Sequence, residues 1–132
     1  MRWAIEFGGD PQDVTVTTSG KATREGFARM NAELVEDERF GPGMLVLLDH
    51  TQLVVDELSS EDVRAIARDF VRHDDALRSA IVALVAPKPV QFGLARMSTM
   101  LAEPPTPSIH VFHTRADALE RLRDVREGRS EG

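Results

Sequence analysis

The sequence has no cysteine and no tyrosine, and its 16 basic residues comprise 14 arginines and only two lysines. The absence of cysteine excludes a disulfide scaffold, thiol catalysis and any thiolate metal site. Acidic residues number 22, so the net charge is −6. This acidic balance argues against nucleic acid as a partner, because the phosphate backbone favours proteins with clustered cations.

Long apolar runs and internal repeats are also missing. The longest uninterrupted apolar run covers residues 80–86, whereas a helix that crosses a bilayer needs roughly 18 apolar residues. An acidic side chain, Glu6, stands where a signal peptide has its apolar core. We therefore expect a cytoplasmic protein without a membrane span. Its length predicts one folded domain, which we place at residues 1–125, followed by a flexible charged tail at 126–132.

The order of apolar patterns predicts the fold class. Residues 3–7 and 14–17 alternate between apolar and polar side chains around a Gly-Gly-Asp-Pro turn, which is typical of an antiparallel hairpin. Aliphatic runs at 44–48, 79–86 and 108–112 predict further strands, and apolar residues at helical spacing lie before, between and after them. The predicted fold is α/β, with a single, mainly parallel sheet and an N-terminal antiparallel hairpin, in the order β-β-α-β-α-β-α-β-α.

Polar residues after the aliphatic run 44–48 form a candidate site. Sites in parallel sheets lie beyond the carboxyl ends of the strands, and here that end carries Asp49 and His50, with Asp56 further on. A carboxylate beside an imidazole suits acid–base work in a hydrolase or metal binding. Neighbouring strand residues point in opposite directions, so the pair cooperates only if the chain bends, and otherwise Asp49 hydrogen-bonds the amides of its own loop. Since no catalytic motif accompanies them, we predict no catalytic residue, no metal site and no cofactor.

The second helix carries three arginines spaced by four residues, namely Arg64, Arg68 and Arg72. This cationic ridge is either a solvated face balanced by its own acids or a docking surface for an acidic protein partner. The third helix carries a candidate homodimer face formed by Phe92, Arg96 and Thr99. An aromatic residue beside arginine is a common interface pairing. The alternative is that Phe92 folds over the edge of the sheet while Arg96 pairs locally.

Four short segments within this order of elements carry a family resemblance. They are FGPGM before the strand that ends in Leu48 and Asp49, LSSED at the start of the second helix, FGLARM in the third helix, and VF followed by ADAL at the last strand and helix. Together they resemble the SpoIIAA-like family of small bacterial α/β proteins, which is related to STAS domains. The resemblance implies a non-enzymatic role, because STAS domains act largely as protein-interaction modules.

The resemblance also draws attention to Ser59 and Ser60. In STAS-type anti-sigma-factor antagonists, a serine at a helix N-terminus is phosphorylated within an Asp-Ser-Ser-Gly type motif. A phosphate in that place meets unpaired N–H groups and the positive end of the helix. In this chain Glu61 and Asp62 follow the serines in place of glycine and would repel a phosphate. The alternative role of the two serines is plain N-capping.

We therefore expect a regulatory or protein-interaction domain that is not an enzyme. One alternative is a domain that binds a lipid or another small apolar molecule, since CRAL-TRIO lipid-binding domains resemble this fold at larger size. Its pocket would lie near Phe92, Met97, Met100, Leu101 and the proline-rich segment 103–107. A further alternative is a hydrolase that uses Asp49 and His50.

Overall fold

The computed structural model describes residues 1–72, 79–101 and 108–131, without the side chains of 70–72, 97–101, 108 and 129–131. Within these residues the helices and strands follow the predicted order. They are β1 (Arg2–Phe7), β2 (Val14–Lys21), α1 (Arg24–Glu36), β3 (Leu45–Val54), α2 (Ser60–Arg72), β4 (Ile81–Val85), α3 (Pro89–Leu101), β5 (Ser108–Phe112) and α4 (Arg115–Glu131).

The described strands form one five-stranded sheet in the order β1-β2-β3-β4-β5. β1 and β2 pair in antiparallel fashion and the other neighbours pair in parallel, with Val16 opposite Leu48 and Leu48 opposite Leu84. The predicted α/β class, with a hairpin leading into a mainly parallel sheet, is confirmed.

The alternation of side chains along β3 divides the core between the two faces of the sheet. Leu45 and Leu47 point to the face covered by α4, where they pack with Leu122. Val46 and Leu48 point to the other face and join a larger cluster that includes residues of α1, α2 and α3. Helices cover both faces of β3, which explains why its sequence begins as a continuous aliphatic run.

β3 is longer than the sequence predicts, because it runs to Val54 and does not end at Leu48. β2 pairs with the added residues as far as Lys21, which lies opposite Val54. This pairing satisfies the backbone groups on one edge of the extra residues and holds them in an extended conformation. Asp49 and His50 therefore lie within a strand, and the prediction that they follow its carboxyl end was wrong.

α4 also differs from the expectation, because it spans Arg115–Glu131 and so makes most of the segment 126–132 helical. Arg126 anchors this part of the helix to the N-terminal hairpin. Its Nε donates a hydrogen bond to the carbonyl oxygen of Pro11 at 2.6 Å, and its guanidinium pairs with the Asp13 carboxylate. The flexibility of the chain end stays a prediction.

Candidate functional site

An apolar cavity of about 70 Å³ lies between the sheet and helices α1, α2 and α3. Its walls include Phe27 of α1, Leu48 of β3, Ile66 of α2 and Leu94 of α3. The lining is apolar except for His50 and Gln91 among the residues that the structure describes there. The chemical properties of the cavity therefore depend on these two polar side chains.

Gln91 lies in the first turn of α3, and both ends of its side-chain amide are hydrogen-bonded to the backbone. Its Nε2 donates to the carbonyl oxygens of His50 at 3.0 Å and Leu53 at 2.6 Å. Its Oε1 accepts a hydrogen bond from the backbone N–H of Lys88 at 3.1 Å. Gln91 is only 3% exposed, so this amide fastens the start of α3 to β3 from inside the core.

His50 lies on the cavity face of β3 and is 7% exposed. Its Nδ1 lies 2.6 Å from the hydroxyl oxygen of Thr18 on β2. Its ring meets the ring of Phe27 edge-on, with 5.6 Å between the centroids. Burial disfavours the imidazolium and lowers the pKa of His50 from 6.5 to about 4. The side chain is therefore a neutral imidazole at physiological pH.

Asp49 lies on the opposite face of β3, toward α4. Its Oδ1 accepts hydrogen bonds from the backbone N–H and the hydroxyl of Thr51, and its Oδ2 lies 3.1 Å from the Arg115 guanidinium. Burial opposes ionisation of this carboxyl, but the hydrogen bonds from Thr51 and the contact with Arg115 outweigh it and lower its pKa. Asp49 is thus a stabilised carboxylate that joins β3 to the start of α4.

The strand-end cluster expected from the sequence is not brought together. Asp49 and His50 point to opposite faces of the sheet, as neighbouring residues of a continuous strand must. Asp56 is exposed beyond the end of β3. The alternative interpretation of Asp49 is nearer to the structure, since its carboxylate accepts a local amide, that of Thr51.

Ser59 caps α2. Its hydroxyl accepts a hydrogen bond from the Asp62 N–H at 3.0 Å, and the Asp62 carboxylate accepts one from the Ser59 N–H at 3.0 Å. This reciprocal pair is a capping box with aspartate in place of the usual glutamate. The backbone hydrogen bond from Ser59 lowers the pKa of Asp62. Ser60 is the exposed first residue of the helix, and phosphorylation of either serine stays a prediction.

The cationic ridge on α2 is exposed at Arg64 and Arg68. Within the described residues neither side chain makes a salt bridge. The side chain of Arg72 lies outside the described residues. Arg64 and Arg68 therefore form no salt bridge with Glu61 or Asp69, the acids that lie near them in the sequence.

The candidate dimer face on α3 is only partly described. Phe92 stacks on the ring of His113, with 3.9 Å between the centroids and 11° between the planes. This contact agrees with the alternative in which Phe92 folds over the sheet edge. Arg96 is exposed and lines a groove beside β5 together with His110. The side chain of Thr99 lies outside the described residues, and dimerisation stays a prediction.

Of the residues that the sequence suggested for an apolar pocket, Phe92 has a described side chain, and it is not among the described residues that line the cavity. Phe92 faces His113, and the other suggested residues, Met97, Met100, Leu101 and the segment 103–107, lie outside the described side chains. The same helix contributes Gln91, Leu94 and Ala95 instead. Leu94 and Ala95 follow Gln91 by three and four residues, so the three side chains lie on one face of the helix. A glutamine on this otherwise apolar face is the sequence signal that could have indicated the cavity.

Two other features are absent from the described residues, a metal-binding cluster and a membrane-spanning helix. No group of three or more histidine, aspartate and glutamate side chains in those ranges could hold a metal ion. In the same part of the chain, the helices are all too short or too polar to cross a membrane.

No family model matches the sequence, and no curated protein matches it. Among solved structures, the chain is similar to an uncharacterized protein of the DUF3478 family with a SpoIIAA-like fold, from Shewanella loihica PV-4. The two chains are 23% identical with a TM-score of 0.59, and the match covers 92% of each. The chain therefore has a SpoIIAA-like fold, which confirms the resemblance drawn from the sequence.

Proposed function

We propose that this chain is a non-enzymatic binding domain of the bacterial cytoplasm that takes up a small apolar molecule in the cavity between β3 and helices α1–α3. The cavity itself is the observation that carries this proposal. Protein interiors contain few voids larger than a water molecule. At about 24 cal/mol per Å³, leaving 70 Å³ empty destabilises the fold by about 2 kcal/mol. A ligand that fills the cavity recovers part of that free energy.

The absence of catalysis in this proposal is supported by the positions of Asp49 and His50. They lie on opposite faces of the sheet, and each has its own partners, Arg115 with Thr51 for the carboxylate and Thr18 for the imidazole. A general base needs to lie within hydrogen-bond reach of the proton that it removes, with its orienting group beside it. The two side chains do not meet that condition together.

The size of the cavity limits its ligand. Its volume of about 70 Å³ is under half of the roughly 150 Å³ of a protein cavity that takes up benzene. It therefore suits the narrow chain of a short aliphatic molecule, or the end of a longer one. A four-carbon molecule has about the volume of benzene, so its uptake requires the wall side chains to move slightly apart, and a bulky ring requires a larger movement. This agrees with the small-molecule alternative derived from the likeness to CRAL-TRIO domains.

Uptake can be tested with n-butyl chloride as the probe, followed by the NMR shifts of the methyl groups of Leu48, Leu84 and Leu94. We expect saturable shifts in the wild type. Ala95→Leu adds side-chain atoms to the cavity wall and should weaken binding by at least about tenfold. Ala116→Leu, on an exposed position of α4, is the matched control and should bind as the wild type does.

Two results would contradict the proposal: no saturable shifts in the wild type, or equal binding by Ala95→Leu and Ala116→Leu. Native mass spectrometry of the protein purified from its own host tests whether a natural ligand stays bound. A small molecule retained by the wild type and lost from Ala95→Leu would identify the class of compound directly.

A protein-interaction domain is the second candidate, and the exposed arginines of α2 favour it. Arg64 and Arg68 make no salt bridge within the described residues, so their charge is available to an acidic partner. Arg68→Glu should then reduce capture of a partner protein, whereas Arg123→Glu, an exposed arginine on α4, should not. Equal capture by both variants and the wild type would remove this candidate.

A further inference from the structure

The Thr18 hydroxyl determines which nitrogen of His50 carries the proton. Its oxygen lies 3.1 Å from the carbonyl oxygen of Asp49 and 2.6 Å from Nδ1 of His50. A hydroxyl has one proton to donate, and a carbonyl oxygen can only accept. Both contacts are hydrogen bonds only if the Thr18 proton goes to Asp49 and the Thr18 oxygen accepts from Nδ1–H. The neutral imidazole is then protonated at Nδ1, and Nε2 carries a lone pair.

Nε2 is the hydrogen-bonding position that His50 has left for a molecule in the cavity. Within the described residues the imidazole makes its hydrogen bond through Nδ1, and His50 lines the cavity. The other polar side chain of the lining, Gln91, has both ends of its amide occupied. Among the described side chains of the lining, Nε2 of His50 is thus the acceptor that has no hydrogen bond at all.

Water is poorly suited to this position. A buried water is held by two to four polar partners, as a rule, whereas Nε2 of His50 is the one side-chain nitrogen or oxygen of the described lining without a hydrogen bond. An organic molecule that brings one hydrogen-bond donor and an apolar remainder satisfies Nε2 and fills the rest of the cavity at the same time.

Building on the proposed function, we propose that the cavity selects small, mainly apolar molecules with one hydroxyl group, such as alcohols. The hydroxyl donates a hydrogen bond to Nε2 of His50. A carboxylate or a phosphate dianion has no proton to give to this lone pair. An ammonium group would donate, but it would lose its hydration in an apolar cavity. The selected ligand is therefore neutral, with a hydrogen-bond donor at one end.

The test compares n-butanol with n-butyl chloride, which has a similar shape but donates no hydrogen bond, on the wild type and on His50→Leu. The leucine keeps the wall apolar, and Thr18 keeps its bond to the Asp49 carbonyl. We expect n-butanol to lose about tenfold in affinity in His50→Leu, the size expected for one buried hydrogen bond. Binding of n-butyl chloride should stay the same or become tighter.

The wild type provides a second measurement that does not depend on any variant. In protein labelled with ¹⁵N at histidine, n-butanol should shift the Nε2 resonance of His50 in the direction of a hydrogen-bonded nitrogen, and n-butyl chloride should not. The exposed His113 serves as the internal control, and its resonances should not move with either probe.

The outcomes separate this inference from the proposed function. If both probes bind and His50→Leu changes their affinities equally, or if Nε2 does not respond to n-butanol, the role of His50 is refuted while the binding cavity stands. If neither probe binds to the wild type, the proposed function fails, and the inference that rests on it fails with it.

Discussion

Protonation of His50 should make the folded protein lose stability as the pH falls below neutral, and His50→Leu should remove that loss. The imidazole is 7% exposed and has Thr18 and Phe27 as its nearest side-chain partners on the cavity face. The neighbouring Asp49 carboxylate favours the imidazolium, but burial outweighs it. Since the charged ring is desolvated in the folded state, it is more stable in the unfolded chain.

The sign and size of the effect follow from the lowered pKa. With an unfolded value of 6.5 and a folded value of about 4, the unfolded chain binds the proton first as the pH falls. The free energy of unfolding is at its full value above pH 6.5, decreases from there to about pH 4, and levels off below. Since one pKa unit corresponds to about 1.4 kcal/mol, the whole loss is about 3 kcal/mol.

Urea unfolding followed by the fluorescence of the single tryptophan measures this loss. Between about pH 7.5 and about pH 4.5, the free energy of unfolding of the wild type should fall by about 2 to 3 kcal/mol more than that of His50→Leu. The control variant His113→Leu, which changes an exposed histidine, should show the same loss as the wild type. Asp49 and Asp62 have pKa values below their ordinary 3.8 and titrate outside this range. Parallel curves for the wild type and His50→Leu would refute the reasoning.

Three further sets of substitutions test the contacts around the cavity and at the helix starts. Gln91→Leu should lower the unfolding free energy by about 2 to 3 kcal/mol in urea, because it leaves two buried carbonyls and one N–H unpaired; a loss below about 0.5 kcal/mol would contradict this role. Ser59→Ala should cost about 1 kcal/mol and Ser59→Gly only a few tenths, and equal losses would argue against capping. Asp49→Asn and Arg115→Ala should each lower the free energy of unfolding by about 1 kcal/mol in thermal unfolding. Because both remove the same ion pair, the double variant should lose less than the sum of the two, and additive losses would contradict the pairing.

The fold could be predicted because its pattern is repeated at several levels. The continuous aliphatic start of β3 indicates a strand that is covered on both faces. In the structure Leu45 and Leu48 belong to two separate core clusters, on opposite faces of the sheet. N-capping of α2 was expected from Ser59 or Ser60, and in the structure Ser59 caps this helix through the backbone N–H of Asp62. These features depend on residues close together in the sequence, so the sequence alone reveals them.

The candidate site could be predicted only in part, because it depends on contacts between distant segments. Its described residues come from six helices and strands, and the contact of Thr18 with His50 or of Gln91 with Leu53 has no local sequence signature. The end of β3 was misjudged for the same reason. Polar residues after an aliphatic run indicate a loop unless a neighbouring strand continues beside them, and β2 does so as far as Lys21.

The unequal lengths of β3 and β4 explain why the apolar cavity has a buried glutamine in its lining. β4 pairs with β3 only as far as Val85 opposite Asp49, whereas β3 continues to Val54. From His50 onward, the edge of β3 that faces β4 has no strand partner in the described residues, so its carbonyls need other donors. α3 begins beside this edge, and the Gln91 amide supplies the donors for His50 and Leu53. The cavity lies next to this junction on the face of the sheet, where Gln91 of α3 and His50 of β3 are the polar side chains of its described lining. The strand mismatch therefore accounts for the buried glutamine that shares a cavity wall with the buried histidine.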